Sequence, residues 1–287
     1  MRRERLIAAV AVAAAGFTIT GTGPVDRGQQ IEQLLPRHRI VAFYGNPRAP
    51  RMGVLGSLAP DRLRERLESQ ARAYARADPR TPVVPALHLV TVVAQREPGA
   101  DRMYRSRMPD SLIERLSQFA ERHGWLLFLD VQPGRSRAID EVRRLSKHLQ
   151  HAWVHVAIDP EFAMSAGQVP GSVIGSLDAR EIALVVDYLA ETVETRRLPA
   201  KILVVHRFTD RMVKDSERIA LDPRVQIVID MDGFGRPGLK RDSYAAFIAA
   251  RPVQFAGFKL FYDLDSPLMA PEEVLRLKPP PLFILYQ

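Results

Sequence analysis

VHVAIDPEF, residues 154–162, starts as a buried strand and finishes in two acids. Val154, Val156 and Ile158 alternate with His155, Ala157 and Asp159. Strand side chains point alternately to opposite faces. One set therefore packs against covering helices, and the other points inward. Glu161 joins the inward set if the strand continues. Both faces are apolar for most of the run, which is the mark of a parallel strand covered on both sides.

Seven further runs share this character. In chain order the eight are RIVAFYG (39–45), VVPALHLVTVVAQ (83–95), WLLFLDVQ (125–132), WVHVAIDPE (153–161), KILVVHRF (201–208), VQIVIDMDG (225–233), FAGFKLFYD (255–263) and PLFILYQ (281–287). Amphipathic segments separate them: 60–78, 109–124, 135–150, 178–197, 209–221, 241–250 and 270–278. The fourth of these carries Asp178 and Glu181 at capping-box spacing. Strands alternating with helices predict a parallel sheet. Eight units in about 250 residues predict a single-domain α/β protein, the (β/α)8 TIM barrel. A doubly wound open sheet is the alternative, but YGNPRAPRMGVLG after the first strand lacks the GxGxxG spacing. Connections into the strands are short. Several leaving them are long: 46–57, 96–108 and 162–176. In a barrel these long loops share the face where active sites sit.

Bulk composition limits the function classes. The 287 residues carry a formal net charge of +8 and 41 basic residues, only six of them lysine. The basic residues are spread along the predicted helices. They form no cluster interleaved with aromatics, so nucleic acid is not an expected partner. With no cysteine, disulfides, thiolate nucleophiles and cysteine metal sites are excluded, as is a lipid-modified N-terminal cysteine. Arg2, Arg3 and Arg5 precede an apolar run from Leu6 to Ile19. That run, about 14 residues long, fits a signal h-region better than the roughly 20 of a membrane span. The expected organisation is a signal peptide or uncleaved anchor over 1–25, a linker over 26–37 and the barrel over 38–287. The protein is expected to be exported, and to meet a membrane only through an uncleaved N-terminal segment.

Nearly every strand becomes polar at the same end. Asp159 and Glu161 end the fourth. Asp130 and Gln132 end the third, His206 the fifth, and Asp230 and Asp232 the sixth. Lys259 and Tyr262 lie on the seventh, Tyr44 ends the first and Tyr286 lies on the last. Burying isolated charges costs several kcal/mol, so this ring predicts a wet, acidic cleft. Each member also has a structural explanation: Asp130 as a helix cap, His206 as a bonded core histidine, Asp230 and Asp232 as turn formers at Gly233, Lys259 as a counter-ion. His155 lies deeper and reads as structural.

Paired carboxylates suit glycosidic hydrolysis, in which one protonated acid serves the leaving oxygen. Residues two apart on a strand lie about 6–7 Å apart, so Glu161 is the expected general acid and Asp159 its modulator, with Asp232 as a third catalytic candidate. Tyr44, Asp130, Gln132, His206, Asp230, Lys259, Tyr262 and Tyr286 are expected to contact substrate. This Asp-x-Glu ending the fourth barrel strand resembles that of chitinase-like glycoside hydrolases and barrel-type bacterial muramidases. In the chitinase-like families the Glu is the acid and the Asp assists the N-acetyl group of the substrate; the resemblance extends to Met231-Asp232 and Tyr286 as sugar-contacting positions. This chain departs from the longer chitinase pattern at Val154 and Ala157, where that pattern has Asp, and at Pro160 between the acids. It has Tyr44 where the muramidases place an acid.

The resemblance implies a hydrolase acting on carbohydrate or cell-wall polymer without a cofactor. One alternative is a divalent-metal barrel, hydrolase or isomerase, holding Mg²⁺ or Mn²⁺ on Asp130, Glu161 and Asp232, with His206 as a further ligand or base. Another is a barrel that binds glycan without turnover, with Tyr44, Tyr104 and Tyr262 as stacking surfaces.

Overall fold

The computed structural model describes residues 31–287. The expected export signal over 1–25 lies outside the described residues. Eight parallel strands close a barrel: β1 (Arg39–Gly45), β2 (Val83–Ala94), β3 (Leu126–Val131), β4 (Val154–Ile158), β5 (Lys201–Arg207), β6 (Val225–Met231), β7 (Phe255–Leu260) and β8 (Phe283–Tyr286). Each pairs with its neighbours in sequence, and β8 closes on β1 with Ile40 opposite Phe283 and Phe43 opposite Tyr286. The chain is a (β/α)8 barrel.

Period-two alternation builds two cores. Ile40, Ala42, Ala86, Val90, Phe128, Ala157, Ile202, Val204, Val228, Phe283 and Leu285 fill the barrel interior. Val41, Phe43, Val154, Val156 and Ile158 belong to the larger core between strands and helices. The bottom of the barrel is plugged by residues 34–35, within the stretch expected to be linker. Gln226 accepts from the backbone N–H groups of Leu34 and Leu35 at 3.0 and 3.1 Å and donates to Leu35 O at 2.7 Å. Leu35 is consequently buried in the inner core.

The main helices are α1 (Pro60–Ala77), α2 (Asp110–Arg122), α3 (Ala138–Arg144), α4 (Ala179–Arg196), α5 (Pro237–Tyr244) and α6 (Pro271–Leu275). On α1 the buried residues Leu63, Leu67, Ala71 and Tyr74 follow a helical stripe. The capping box of α4 is present: Glu181 N donates to Asp178 Oδ1 and Asp178 N to Glu181 Oε2. Segment 209–221, expected to be helical, is not. It forms two 3-10 turns, Asp210–Met212 and Ser216–Arg218, flanking a short bridge in which Val213–Lys214 pairs with Leu177–Asp178. Arg207 pulls Asp210 in at 2.7 Å, and Asp215 sits in a left-handed conformation at φ 52°. Thr, Asp and Ser compete with helical bonding through such local turns.

The loop after β2 returns to its own strand. Arg105–Arg107 pairs antiparallel with the end of β2. Glu141 of α3, 1% exposed, receives Arg105 at 2.8 Å and Arg107 at 2.7 Å. Replacing Glu141 with Gln is expected to lower stability by about 2–3 kcal/mol in urea melts, because two guanidinium groups lose a buried partner.

Candidate active site

The C-terminal ends of the strands surround a cavity of 610 Å³. Tyr44, Gln132, Asp159, Glu161, Asp232 and Lys259 line it, together with Phe162, Phe208, Phe234, Phe261 and Gln287. Asp159 and Glu161 do not arrive there on a continuing strand. β4 stops at Ile158 and Pro160 opens a 3-10 turn, Pro160–Phe162. Asp159 caps this turn, accepting from Glu161 N at 3.0 Å. Pro160 is thus the first residue of the turn that carries Glu161 to the mouth. The turn is braced from outside by loop 163–176. Gly175 N donates to Glu161 O at 2.6 Å, and a side chain at Gly175 would come within 2.7 Å of that same carbonyl.

Beneath the cavity lies a wholly buried polar layer. His88 of β2, Asp130 of β3, His206 of β5 and Asp230 of β6 are each 0% exposed. His88 Nε2 and His206 Nε2 stand 3.1 and 3.5 Å from Asp130 Oδ2, and 3.3 Å from each other. His206 Nδ1 meets Asp230 Oδ2 at 3.1 Å and Asp232 Oδ2 at 3.4 Å. Asp230 has room because Gly257 stands opposite: a Cβ there would lie 2.7 Å from Asp230 Oδ1. A β-bulge between Val90 and Val92 shifts the register of β2 against β3 at the level of Asp130.

Charge is distributed unevenly between the two layers. Burial pushes Asp159 well above the ordinary carboxylate range; His206 opposes this, while Asp232 and Asp130 add to it. Burial and then the charge of Asp232 raise Glu161, against Lys259 and His206. Burial would also raise Asp130, but the imidazoles of His206 and His88 hold it well below its usual value. Burial disfavours protonated His206, yet Asp130 and Asp230 outweigh it and the imidazole titrates well above the histidine range. Lys259 overcomes its own burial through Asp232, 2.9 Å away, and is raised. Its ammonium also lies 3.9 Å from the centre of the Tyr44 ring. The site therefore joins two carboxyls biased toward the acid form, Glu161 and Asp159, to an ion-paired carboxylate, Asp232. A carboxyl biased toward its acid form in a cavity is what general acid chemistry requires.

Several expected residues occupy other places. Tyr286 points outward: its hydroxyl meets those of Tyr74 and the amide of Gln70 at 2.9 Å each, between β8 and α1. Tyr262 stacks on Tyr286 at 5.1 Å, under Arg66. Neither lines the cavity; Phe261 and Gln287, one residue along from each, do. Inward alternation counted from Lys259 and Leu285 leads to these two. Asp130, His206 and Asp230 lie under the floor instead of on the cavity wall, while Tyr44, Gln132 and Lys259 line it. Gln132 donates to the Tyr44 hydroxyl at 3.3 Å. His155 accepts from Ile202 N at 3.1 Å deep in the barrel, a structural histidine. Asp130, Glu161 and Asp232 do not converge as a metal-ligand set; among the described residues the titratable group that does is His88, Asp130 and His206. His88 hides in an apolar run. Its one sequence signal is that it shares an inward face with Ala86 and Val90.

No protein-family model and no curated protein matches the chain. Among solved structures it is similar to Bacillus subtilis mannanase man26, with a TM-score of 0.42 and 12% identity over 87% of this chain and 79% of that one. A sugar phosphate isomerase/epimerase from Parabacteroides distasonis gives a TM-score of 0.37 and 10% identity over 94% and 90%. These likenesses are of fold.

Proposed function

We propose that the protein cleaves glycosidic bonds, with Glu161 as general acid. The observation that carries this reading is the pairing, in one cavity, of a carboxyl raised by burial with a carboxylate, Asp232, fixed by Lys259. The volume of 610 Å³ falls within the range of small-ligand pockets, about 300–1,000 Å³. Phe162, Phe208, Phe234 and Phe261 offer apolar faces for sugar rings, and Phe234 is 60% exposed.

Glu161 donates its proton to the glycosidic oxygen as the bond to the anomeric carbon breaks. Asp232 faces the positive charge that develops there, and Lys259, 2.9 Å away, holds the Asp232 carboxylate in place. Asp159 steadies the turn by accepting the backbone N–H of Glu161 on Oδ1, and burial biases its carboxyl toward the acid form, which limits the negative charge of the cleft. A water molecule (or, in transfer, an acceptor hydroxyl) then bonds through its oxygen to the anomeric carbon and gives its proton to Glu161, which frees the new reducing end and restores the acid. The export segment expected in the sequence makes polymers outside the cytoplasm, cell-wall glycans among them, the proposed substrates.

Reducing-end release from a panel of polysaccharides and peptidoglycan tests this reading. Release by the wild type that disappears in Glu161→Gln supports it. Release equal in both overturns the assignment, and saturable glycan binding without release would make the barrel a binding protein. Gly175→Ala should slow release about 10²-fold with little change in KM, because displacement of the Glu161 turn by even 1 Å spoils the reacting geometry.

A further inference from the structure

We propose that His88, Asp130 and His206 bind one first-row divalent transition ion of the zinc class, held beneath the cavity floor. The three side chains come from three different strands, β2, β3 and β5. Their Nε2, Oδ2 and Nε2 atoms form a triangle with edges of 3.1, 3.3 and 3.5 Å. An ion bonded to each at about 2.0–2.1 Å in tetrahedral geometry separates its ligand atoms by about 3.3–3.4 Å. The triangle has that size.

Protons fill this arrangement poorly. If both imidazoles carry a proton on Nε2, both can serve Asp130, but two N–H groups then oppose each other across the 3.3 Å edge. If only one does, the lone pair of the other nitrogen faces a carboxylate oxygen. Neither oxygen of Asp130 makes an aligned hydrogen bond, and His88 Nδ1 has no partner, although both residues are completely buried. Buried polar groups rarely stay unmatched. An ion at the centre engages both Nε2 lone pairs and the carboxylate together.

The surroundings support the same assignment. Asp230 lies against His206 Nδ1 at 3.1 Å. A carboxylate there fixes the imidazole tautomer and turns the Nε2 lone pair toward the ion, the usual support for a metal-bound histidine. Gly257 leaves the space that this carboxylate fills. The donor set selects the metal: two imidazoles and one carboxylate suit zinc, cobalt, nickel or iron, whereas Mg²⁺ requires mostly oxygen in octahedral geometry. Tyr44, which lines the cavity, has its ring 5.3 Å from that of His88 and 6.4 Å from that of His206. The ion thus lies behind the tyrosine, where it stabilises the barrel mouth and offsets the negative charge of the cleft from below.

The test needs no sugar substrate. Chelator-stripped protein is titrated with Co²⁺ and Zn²⁺, following visible absorption for cobalt and thermal melting for both. One ion per chain, with a rise in Tm and no displacement by millimolar Mg²⁺, is expected. X-ray absorption of the zinc-loaded wild type should show two imidazoles and at least one oxygen. Asp230→Asn should weaken binding about 10–100-fold; His88→Gln and Asp130→Asn, checked for folding by circular dichroism, should abolish stoichiometric binding. Glu161→Gln should bind as the wild type does. No stoichiometric binding by the stripped wild type, a bound ion without imidazole ligands, or undiminished binding in both folded ligand variants overturns the proposal. The absorption spectrum decides the matter even if those variants do not fold.

Discussion

Glu161→Gln is expected to slow glycosidic cleavage by about 10²–10⁴-fold, the range for loss of a general acid. The amide is isosteric and cannot donate an acidic proton. The loss should be greatest for substrates with poor leaving groups and small for activated aryl glycosides, whose departing oxygen needs little protonation. A pH profile separates this effect from misfolding. Burial and Asp232 raise the pKa of Glu161, and the acid works only while protonated. Activity should therefore persist above the ordinary carboxylate pKa and fall as pH rises through the elevated value. In Glu161→Gln that alkaline limb should vanish. Stability should barely change, since the amide matches the carboxyl in size and shape and the raised pKa of Glu161 means that folding gains nothing from its charge. A variant with wild-type kcat/KM for unactivated substrates, or with the limb intact, would remove Glu161 from the mechanism.

The fold was legible because the barrel repeats one physical rule. Each strand is apolar on both faces and ends in polar residues, and all eight expected strands are present. The site was legible where alternation could be counted from a secure residue. Asp159, Asp232 and Lys259 follow from that count and line the cavity. It failed where residue type replaced position: Tyr262 and Tyr286 looked like sugar platforms, but alternation turns them toward α1, where they join Tyr74. His88 was hidden because a single histidine within VVPALHLVTVV gives no periodic signal. Only its neighbours across β3 and β5, 3.1 and 3.3 Å away, show its significance. Residues 209–221 alternate charge and apolarity as a helix does, yet Arg207 and the bridge to Leu177 recruit them first. The plug at Leu34–Leu35 depends on Gln226, 191 residues away from Leu35 in the chain, which no local pattern announces.

Lys259→Met should destabilise the protein by about 3–5 kcal/mol, the cost of stranding a buried charge. Lys259 is 3% exposed and pairs with Asp232 at 2.9 Å, and Asp159 and Asp230 also act on it. Methionine fills similar volume, so the loss is electrostatic and not a cavity effect. The sign of the pH dependence follows from the shift. The pKa of Lys259 is raised on folding, so its contribution is complete below the unfolded pKa and disappears only as pH rises through the folded value. At neutral pH the variant therefore loses all of it. Toward acid pH the deficit should shrink, because the carboxylates left without a cation can take up protons instead. The double variant Lys259→Met with Asp232→Asn removes both charges and should recover most of the lost stability, a coupling that independent sites would not show. Urea melts of the four proteins of this cycle at neutral and acid pH measure it. Additive losses, or a deficit independent of pH, would mean that Lys259 serves the barrel through its methylene stem and that the acidic cleft does not depend on its charge.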